Sequence, residues 1–193
     1  MIASELDLEK PFIFELPGLL STEECERWIA RIRKLGTTLA PINTRTGNQV
    51  ESQLRNNRRV IIDDPDSASD LFKRVKDHVP LEIHGGKLVG VNERLRCYEY
   101  ESGQRFAPHS DGAFIRNDYE QSWYTFMVYL NDAFEGGETV FFVEPEVVIK
   151  PSTGMALFFQ HPIIHESREI KSGVKYALRT DLMYRLIPIG TSE

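Results

Sequence analysis

LVGVNERLRCYEY, residues 88–100, begins the series of short β-rich runs that decides the fold. The series continues through WYTFMVYL (123–130), ETVFFV (138–143), VVIK (147–150), MALFFQ (155–160) and YALRTDLMYR (176–185). Turn-forming stretches separate the runs: ESGQ (101–104), NDAFEGG (131–137), KPSTG (150–154) and KSG (171–173). Short apolar runs at close spacing, punctuated by turn residues, predict an antiparallel sandwich or barrel.

The chain ahead of this series has a different texture. PFIFEL (11–16) reads as a strand. Ser21-Thr22-Glu23-Glu24 fits a capping box, with Ser21 as N-cap and Glu24 closing it. The helix it opens carries Cys25, Trp28, Ile29 and Ile32 on one face and stops before Gly36. A second helix is predicted from Pro65 or Ser67 to His78, with Leu71, Phe72, Val75 and Val79 as its apolar stripe and Pro80 after its end. Between them, residues 37–58 are rich in Thr, Asn, Gln and Arg and show little periodicity, so they read as a long surface loop or a lid. The predicted architecture is α+β: a jelly roll with the N-terminal helices packed on one sheet. We expect one domain over residues 1–193, with a helical buttress over about 1–87 and a jelly-roll core over about 88–187.

Composition narrows the function class. The formal net charge is −6, which argues against a protein that tracks nucleic-acid phosphates. Two cysteines, Cys25 and Cys97, read as ordinary reduced thiols. The first twelve residues, MIASELDLEKPF, are acidic and lack an apolar segment, so no signal peptide is expected. No run approaches the roughly 18 apolar residues of a membrane span. A cytoplasmic protein without membrane partners is the expectation.

YEYESGQRFAPHSD, residues 98–111, is the chemically informative segment. His109 and Asp111 are two apart, so on a strand they point to one face. An imidazole and a carboxylate can then approach one metal ion together. A third ligand from a distant strand would complete the two-His-one-carboxylate facial triad of non-haem iron(II) oxygenases, which leaves coordination positions open. The H-x-D pair alone is common by chance; its surroundings give it weight. Tyr100, Gly103, Phe106, His109 and Asp111 keep the spacing of the first metal motif of the prolyl 4-hydroxylase-like 2-oxoglutarate/iron(II) oxygenases. Glu135-Gly136-Gly137-Glu138-Thr139 resembles that family's GGET turn, and KPSTGMALFF (150–159) resembles its Pro-x-x-G strand. His165 to Lys175, with Gly173 two before the lysine, resembles its H…GxK element. The resemblance covers about half the chain and implies a double-stranded β-helix.

His161 and His165 each precede a lysine by ten residues, Lys171 and Lys175. Only the His165 register puts a glycine two before its lysine, and it places Lys175 at the head of a predicted strand rather than in a turn. His165 is therefore the expected third ligand, and His161 a loop histidine near the site. The resemblance implies Lys175 as the partner of the distal carboxylate of 2-oxoglutarate, with the Tyr100 hydroxyl assisting. An unpaired carboxylate in an apolar barrel is costly, which is why a cation must meet it. Arg179, four residues after Lys175 and so on the same strand face, is the reserve candidate. The implied cofactors are Fe(II), 2-oxoglutarate as co-substrate, O2 and ascorbate as reductant; no catalytic residue beyond the metal centre is expected.

The candidate substrate contacts come from the Arg55-Asn56-Asn57-Arg58 cluster and the Arg116-Asn117-Asp118 loop, with Arg58 and Arg116 as the named choices. Phe106, Phe114 and Tyr124 are candidates for the mouth. The resemblance implies hydroxylation of an aliphatic C–H, of a prolyl residue in a peptide or protein or of an amino-acid-like small molecule. Two further readings stand beside it: a jelly-roll binding module without chemistry, and a cupin-like metal site that uses no keto acid.

Overall fold

The structure, a computed structural model, describes residues 11–44, 47–49, 51 and 53–186. The first helix, Thr22–Leu35, begins as its sequence demands. The Ser21 hydroxyl accepts from the Glu24 amide at 3.3 Å, and the Glu24 carboxylate accepts from the Ser21 amide at 2.8 Å. Two amides that the helix cannot satisfy internally are thereby paired. Arg74 of the second helix then clamps Glu24 at 2.7 Å, which ties the two helices together. Ser21→Ala is expected to cost about 1 kcal/mol, read from the urea midpoint; an unchanged midpoint would show that the cap adds nothing.

The second helix, Pro65–Val75, is capped by Asp64, whose side chain accepts from the Ser67 amide at 2.9 Å. It ends three residues short of the predicted His78. The chain tightens there, with His78 donating to Val75 only three residues back, a common way for a helix to close.

Behind these helices lies the large sheet. Its main path runs Ile13–Leu16, Ala156–Gln160, Glu120–Tyr129, Lys175–Leu186, Arg94–Tyr100, Arg58–Asp63, Thr38–Leu39. A second sheet faces it: Val147–Ile149, Thr139–Phe141, His165–Ser167, Phe106–His109. Strand alternation sorts the side chains. Leu95, Cys97, Phe126, Val128, Phe158 and Leu178 point outward, where they pack with Cys25, Ile32, Leu71 and Val75 of the helices. Tyr129, Leu157, Phe159 and Ala177 point inward, against Phe141, Ile149 and Ile163. This is the double-stranded β-helix with helices on one sheet. Phe126, Phe158 and Leu178 are fully buried, each stabilising by about 1.5–3 kcal/mol.

Lys175–Leu186 is the strand that organises the site. It pairs with Glu120–Tyr129 on one side and with Arg94–Tyr100 and Gly86–Val91 on the other. Its inward residues therefore stand at the centre of the barrel.

One stretch departs from expectation. Residues 37–58 read as a loop or lid, with no element assigned between them and the second helix. Instead Thr38–Leu39 pairs with Arg58–Asp63, and Arg58–Asp63 pairs along its length with Arg94–Tyr100. Ile42–Thr44 and Gly47–Gln49 form a separate two-stranded ribbon. Residues 45, 46, 50 and 52 of the stretch lie outside the described residues. Val60 and Ile62 are the half of a strand pattern that faces the helix-side core; Arg59 occupies the other face and masks the alternation.

Candidate metal centre

His109 closes Phe106–His109, and His165 opens the neighbouring strand; the two are direct register partners. Asp111 follows two residues beyond His109, held by its amide donating to the His161 carbonyl at 2.9 Å. The ligand atoms of His109, Asp111 and His165 lie within 4.8 Å of one another. The Nε2 atoms of His109 and His165 stand 4.0 and 3.9 Å from the Asp111 carboxylate.

Each imidazole is aimed by a backbone bond. Nδ1 of His109 donates to the Ala107 carbonyl at 2.8 Å, and Nδ1 of His165 to the Ile163 carbonyl at 2.9 Å. With the proton fixed on Nδ1, the Nε2 lone pair of each ring faces the carboxylate, as a metal ligand requires. Phe106 stacks on His109 with ring centres 3.5 Å apart, and Phe159 meets His165 edge-on at 4.5 Å. Burial, with the neighbouring His165, lowers the pKa of His109 to about 4. Burial likewise lowers that of His165. Burial opposes ionisation of Asp111, but Arg179 and the two flanking imidazoles outweigh it and hold the carboxyl below the usual carboxylate range. The set at neutral pH is two neutral imidazoles and one carboxylate, the donor chemistry that suits a divalent iron.

His161 lies outside the candidate cluster, and it is no loose loop histidine. It is buried, and both ring nitrogens are used: Nδ1 with the Thr125 hydroxyl at 3.0 Å, Nε2 with the Ser122 hydroxyl at 2.8 Å. Thr125 donates to Asp111 at 2.6 Å. That carboxylate can only accept, so the Thr125 oxygen in turn accepts from Nδ1–H of His161. His161 thus orients the metal-facing carboxylate through Thr125. Sequence reading missed Thr125, because only the pairing of distant strands puts it beside Asp111.

Lys175 lies deeper. It is 1% exposed, and no carboxylate lies within ion-pair distance among the described residues. Its Nζ donates to the Gly137 carbonyl at 2.6 Å and to the Ser167 hydroxyl at 3.0 Å. An ammonium has three donors, so one remains. Burial lowers its pKa to about 7. Tyr100 is its register partner and presents its ring, with Nζ 5.4 Å from the centre. A narrow cavity lined by Tyr100, Thr139 and Ser167 runs from this end to His109, Asp111 and His165.

The EGGET turn shapes this end. Gly137 has φ +68°, and a Cβ there would sit 2.4 Å from Ile170 Cδ1 and 3.3 Å from Lys175 Cδ. A side chain would therefore be strained in backbone and would push on the lysine stem. Gly137→Ala is expected to cost about 1–3 kcal/mol and to raise the 2-oxoglutarate KM. Unchanged stability and KM together would show that the turn is free to adapt.

Arg58 and Arg116, the two residues named as substrate contacts, stand elsewhere. Arg58 donates to Thr37 and points away from the metal centre. Alternation along the strand turns its neighbour Arg59 to the metal side instead. Arg116 is neutralised by Glu93 and Glu120, the latter at 3.0 Å. Tyr124 packs against Phe12 and Tyr184 in the helix-side core. Phe106 and Phe114 do line the open cavity of about 610 Å³ beside His109 and Asp111, with Arg55, Arg59, Arg96 and Arg179. The reserve residue Arg179 bonds Asp111 at 3.0 Å rather than standing beside Lys175.

Known proteins resemble this chain in sequence and fold. Residues 95–180 match the family described as the 2OG-Fe(II) oxygenase superfamily. Probable prolyl 4-hydroxylase 3 of Arabidopsis thaliana is 30% identical over 143 residues, which are 68% of this chain and 46% of the relative. Probable prolyl 4-hydroxylase 8 of the same plant is 28% identical over 137 residues, 68% of this chain and 45% of the relative. The chain thus spans a little under half the length of these relatives. The viral collagen prolyl hydroxylase of Paramecium Bursaria Chlorella virus-1 superposes with a TM-score of 0.66 at 21% identity, covering 93% of this chain and 99% of that one. The fold and the metal-facing triad define a 2-oxoglutarate/Fe(II) oxygenase domain. Within that class, the chain is similar to the prolyl 4-hydroxylases.

Proposed function

We propose that this chain is an Fe(II)- and 2-oxoglutarate-dependent dioxygenase that hydroxylates an aliphatic C–H of a prolyl residue in a peptide or protein. The observation that carries the reading is a pair of facts: neutral His109 and His165 with ionised Asp111 line one narrow cavity, and Lys175, buried and with no carboxylate in ion-pair distance among the described residues, donates to Ser167 of that cavity's lining. When bound, iron(II) supplies the oxidising chemistry with O2 and 2-oxoglutarate, leaving succinate and CO2 as the substrate carbon gains a hydroxyl.

The residues of the chain bind and orient. His109, Asp111 and His165 would hold the metal, with Ala107, Ile163 and Thr125 fixing their aim. Lys175, with Tyr100 beside it, would meet the distal carboxylate of the keto acid. Phe106, Phe159 and Phe141 keep the imidazole side apolar.

A peptide substrate is supported by two neighbours: the viral enzyme is named a collagen prolyl hydroxylase, and the prolyl hydroxylase of Trichoplax adhaerens, at TM-score 0.66 and 15% identity, is described in complex with a peptide fragment. Ascorbate as reductant belongs to the same reading. No described helix is long and apolar enough to cross a membrane. We place the enzyme in the cytoplasm, a reading supported by two free, buried cysteines.

The test is turnover. Purified protein with iron(II), ascorbate and 2-oxoglutarate should form succinate slowly alone and faster with proline-containing peptides, whose product gains one oxygen atom. Absence of succinate under all conditions would refute the oxygenase in favour of a binding module.

A further inference from the structure

The cavity beside the metal centre carries an excess of positive charge. Arg59, Arg96 and Arg179 come from three adjacent strands, with Arg96 and Arg179 direct register partners. Like charges opposite one another destabilise a sheet. Two carboxylates answer part of the row: Asp181 bonds Arg96 at 3.1 Å, and Asp111 bonds Arg179 at 3.0 Å. Among the described residues no carboxylate lies within 4.0 Å of Arg59 or Arg55. Burial and the neighbouring Arg55, Arg96 and Arg179 all act to lower the Arg59 pKa.

Arg55 is held in place without being neutralised. It is 5% exposed, and its guanidinium lies 4.3 Å from the Phe106 ring centre and 4.9 Å from that of Tyr98. Nε donates to Asn57 at 2.7 Å and one terminal nitrogen reaches the Pro41 carbonyl at 3.5 Å; the other, Nη2, is buried and has no hydrogen-bond partner among the described residues. A buried orphan donor on a cation is a costly arrangement for a fold to keep. Phe106 stacks on Arg55 and also on His109, so this orphan donor sits one ring from the metal ligand. The chain as a whole carries a net charge of −6, which makes the local excess a property of this cavity rather than of composition.

We propose that Arg55 and Arg59 receive a carboxylate of the substrate, so that this enzyme acts on an acid in which the reacting C–H and an anionic group lie close together. The proposal rests on the oxygenase reading and narrows its substrate class. Two sources offer the same chemistry: a Glu or Asp side chain next to proline in a peptide, or the α-carboxylate of a free imino acid. The guanidinium fork suits either, as a bidentate partner for two carboxylate oxygens.

The experiment is calorimetric binding to the full chain at saturating 2-oxoglutarate with Mn(II), so that the Lys175 end is filled. The probes are two acid–amide pairs: a proline peptide with flanking glutamate against its glutamine form, and L-proline against L-prolinamide. In one pair the acid should bind at least tenfold tighter, and that pair names the source. Arg59→Gln should cut the advantage to a few-fold. Acids that bind no tighter than their amides in wild type overturn the proposal without recourse to any variant. So does an advantage that survives Arg59→Gln and Arg55→Gln together, an acid that merely competes with 2-oxoglutarate, or a phosphoserine peptide that outbinds the glutamate one. Succinate formation is followed on the same preparation. Acid preference without turnover would retire the oxygenase and keep the anion site; turnover without acid preference would do the reverse.

Discussion

His165→Ala is expected to abolish iron(II) binding and all turnover, whereas His161→Ala is expected to weaken metal binding without removing it. Both histidines are buried, so exposure does not separate them. Their hydrogen bonds do. His165 commits only Nδ1, to a carbonyl, and leaves Nε2 facing Asp111. His161 commits both nitrogens to hydroxyls and has no lone pair to offer a metal. Its removal would leave Thr125 and Ser122 short of partners and loosen Asp111. Losses of an orienting partner typically run about 10–100-fold in affinity. Loss of His165 removes a ligand outright and should exceed that range. Titration of each variant with Fe(II) under nitrogen separates the two. If His161→Ala lost the metal and His165→Ala kept it, the triad proposed here would be wrong.

The sequence made much of this legible, and the reasons are local. The helix caps are written in four consecutive residues, Ser21 to Glu24. The His109–Asp111 pair follows from a period of two, and the Gly137 turn from a backbone that only glycine accepts readily. What escaped is what depends on register or on long side chains. Arg58 is the candidate along the sequence, whereas Arg59 faces the cavity: one residue reverses the face of a strand. The strand Arg58–Asp63 begins where the polar stretch ends, and its two leading arginines mask the alternation that would mark it. Arg55 is legible as part of the 55–58 cluster, but not its seat, where Phe106 and Tyr98, remote in sequence, cradle its guanidinium. The role of His161 rests on Thr125, a partner 36 residues away. No pattern along the chain encodes such a contact.

Lys175→Met is expected to raise the 2-oxoglutarate KM by roughly 100-fold or more while metal affinity holds. Leaving one member of a buried charge pair alone costs about 3–5 kcal/mol, and each 1.4 kcal/mol is about tenfold. Lys175 makes no hydrogen bond to the metal-facing side chains; its hydrogen bonds go to Gly137 and Ser167. The same lysine should imprint a pH dependence. Its folded pKa is lowered to about 7 from an ordinary value of 10.5. Between these values the unfolded chain holds the proton and the folded chain does not, so stability rises with pH across that window. Below pH 7 both states are protonated and the full cost of burying the charge is present. Keto-acid binding runs the other way, because a carboxylate needs the ammonium form. Its affinity in wild type should therefore fall as pH rises above 7, by up to about tenfold per unit. In Lys175→Met both slopes should flatten. Denaturant melts and 2-oxoglutarate titrations from pH 6 to pH 9 measure the pair. A variant that kept either slope would assign it to another group, and a KM unchanged at pH 7 would remove Lys175 from the keto-acid site.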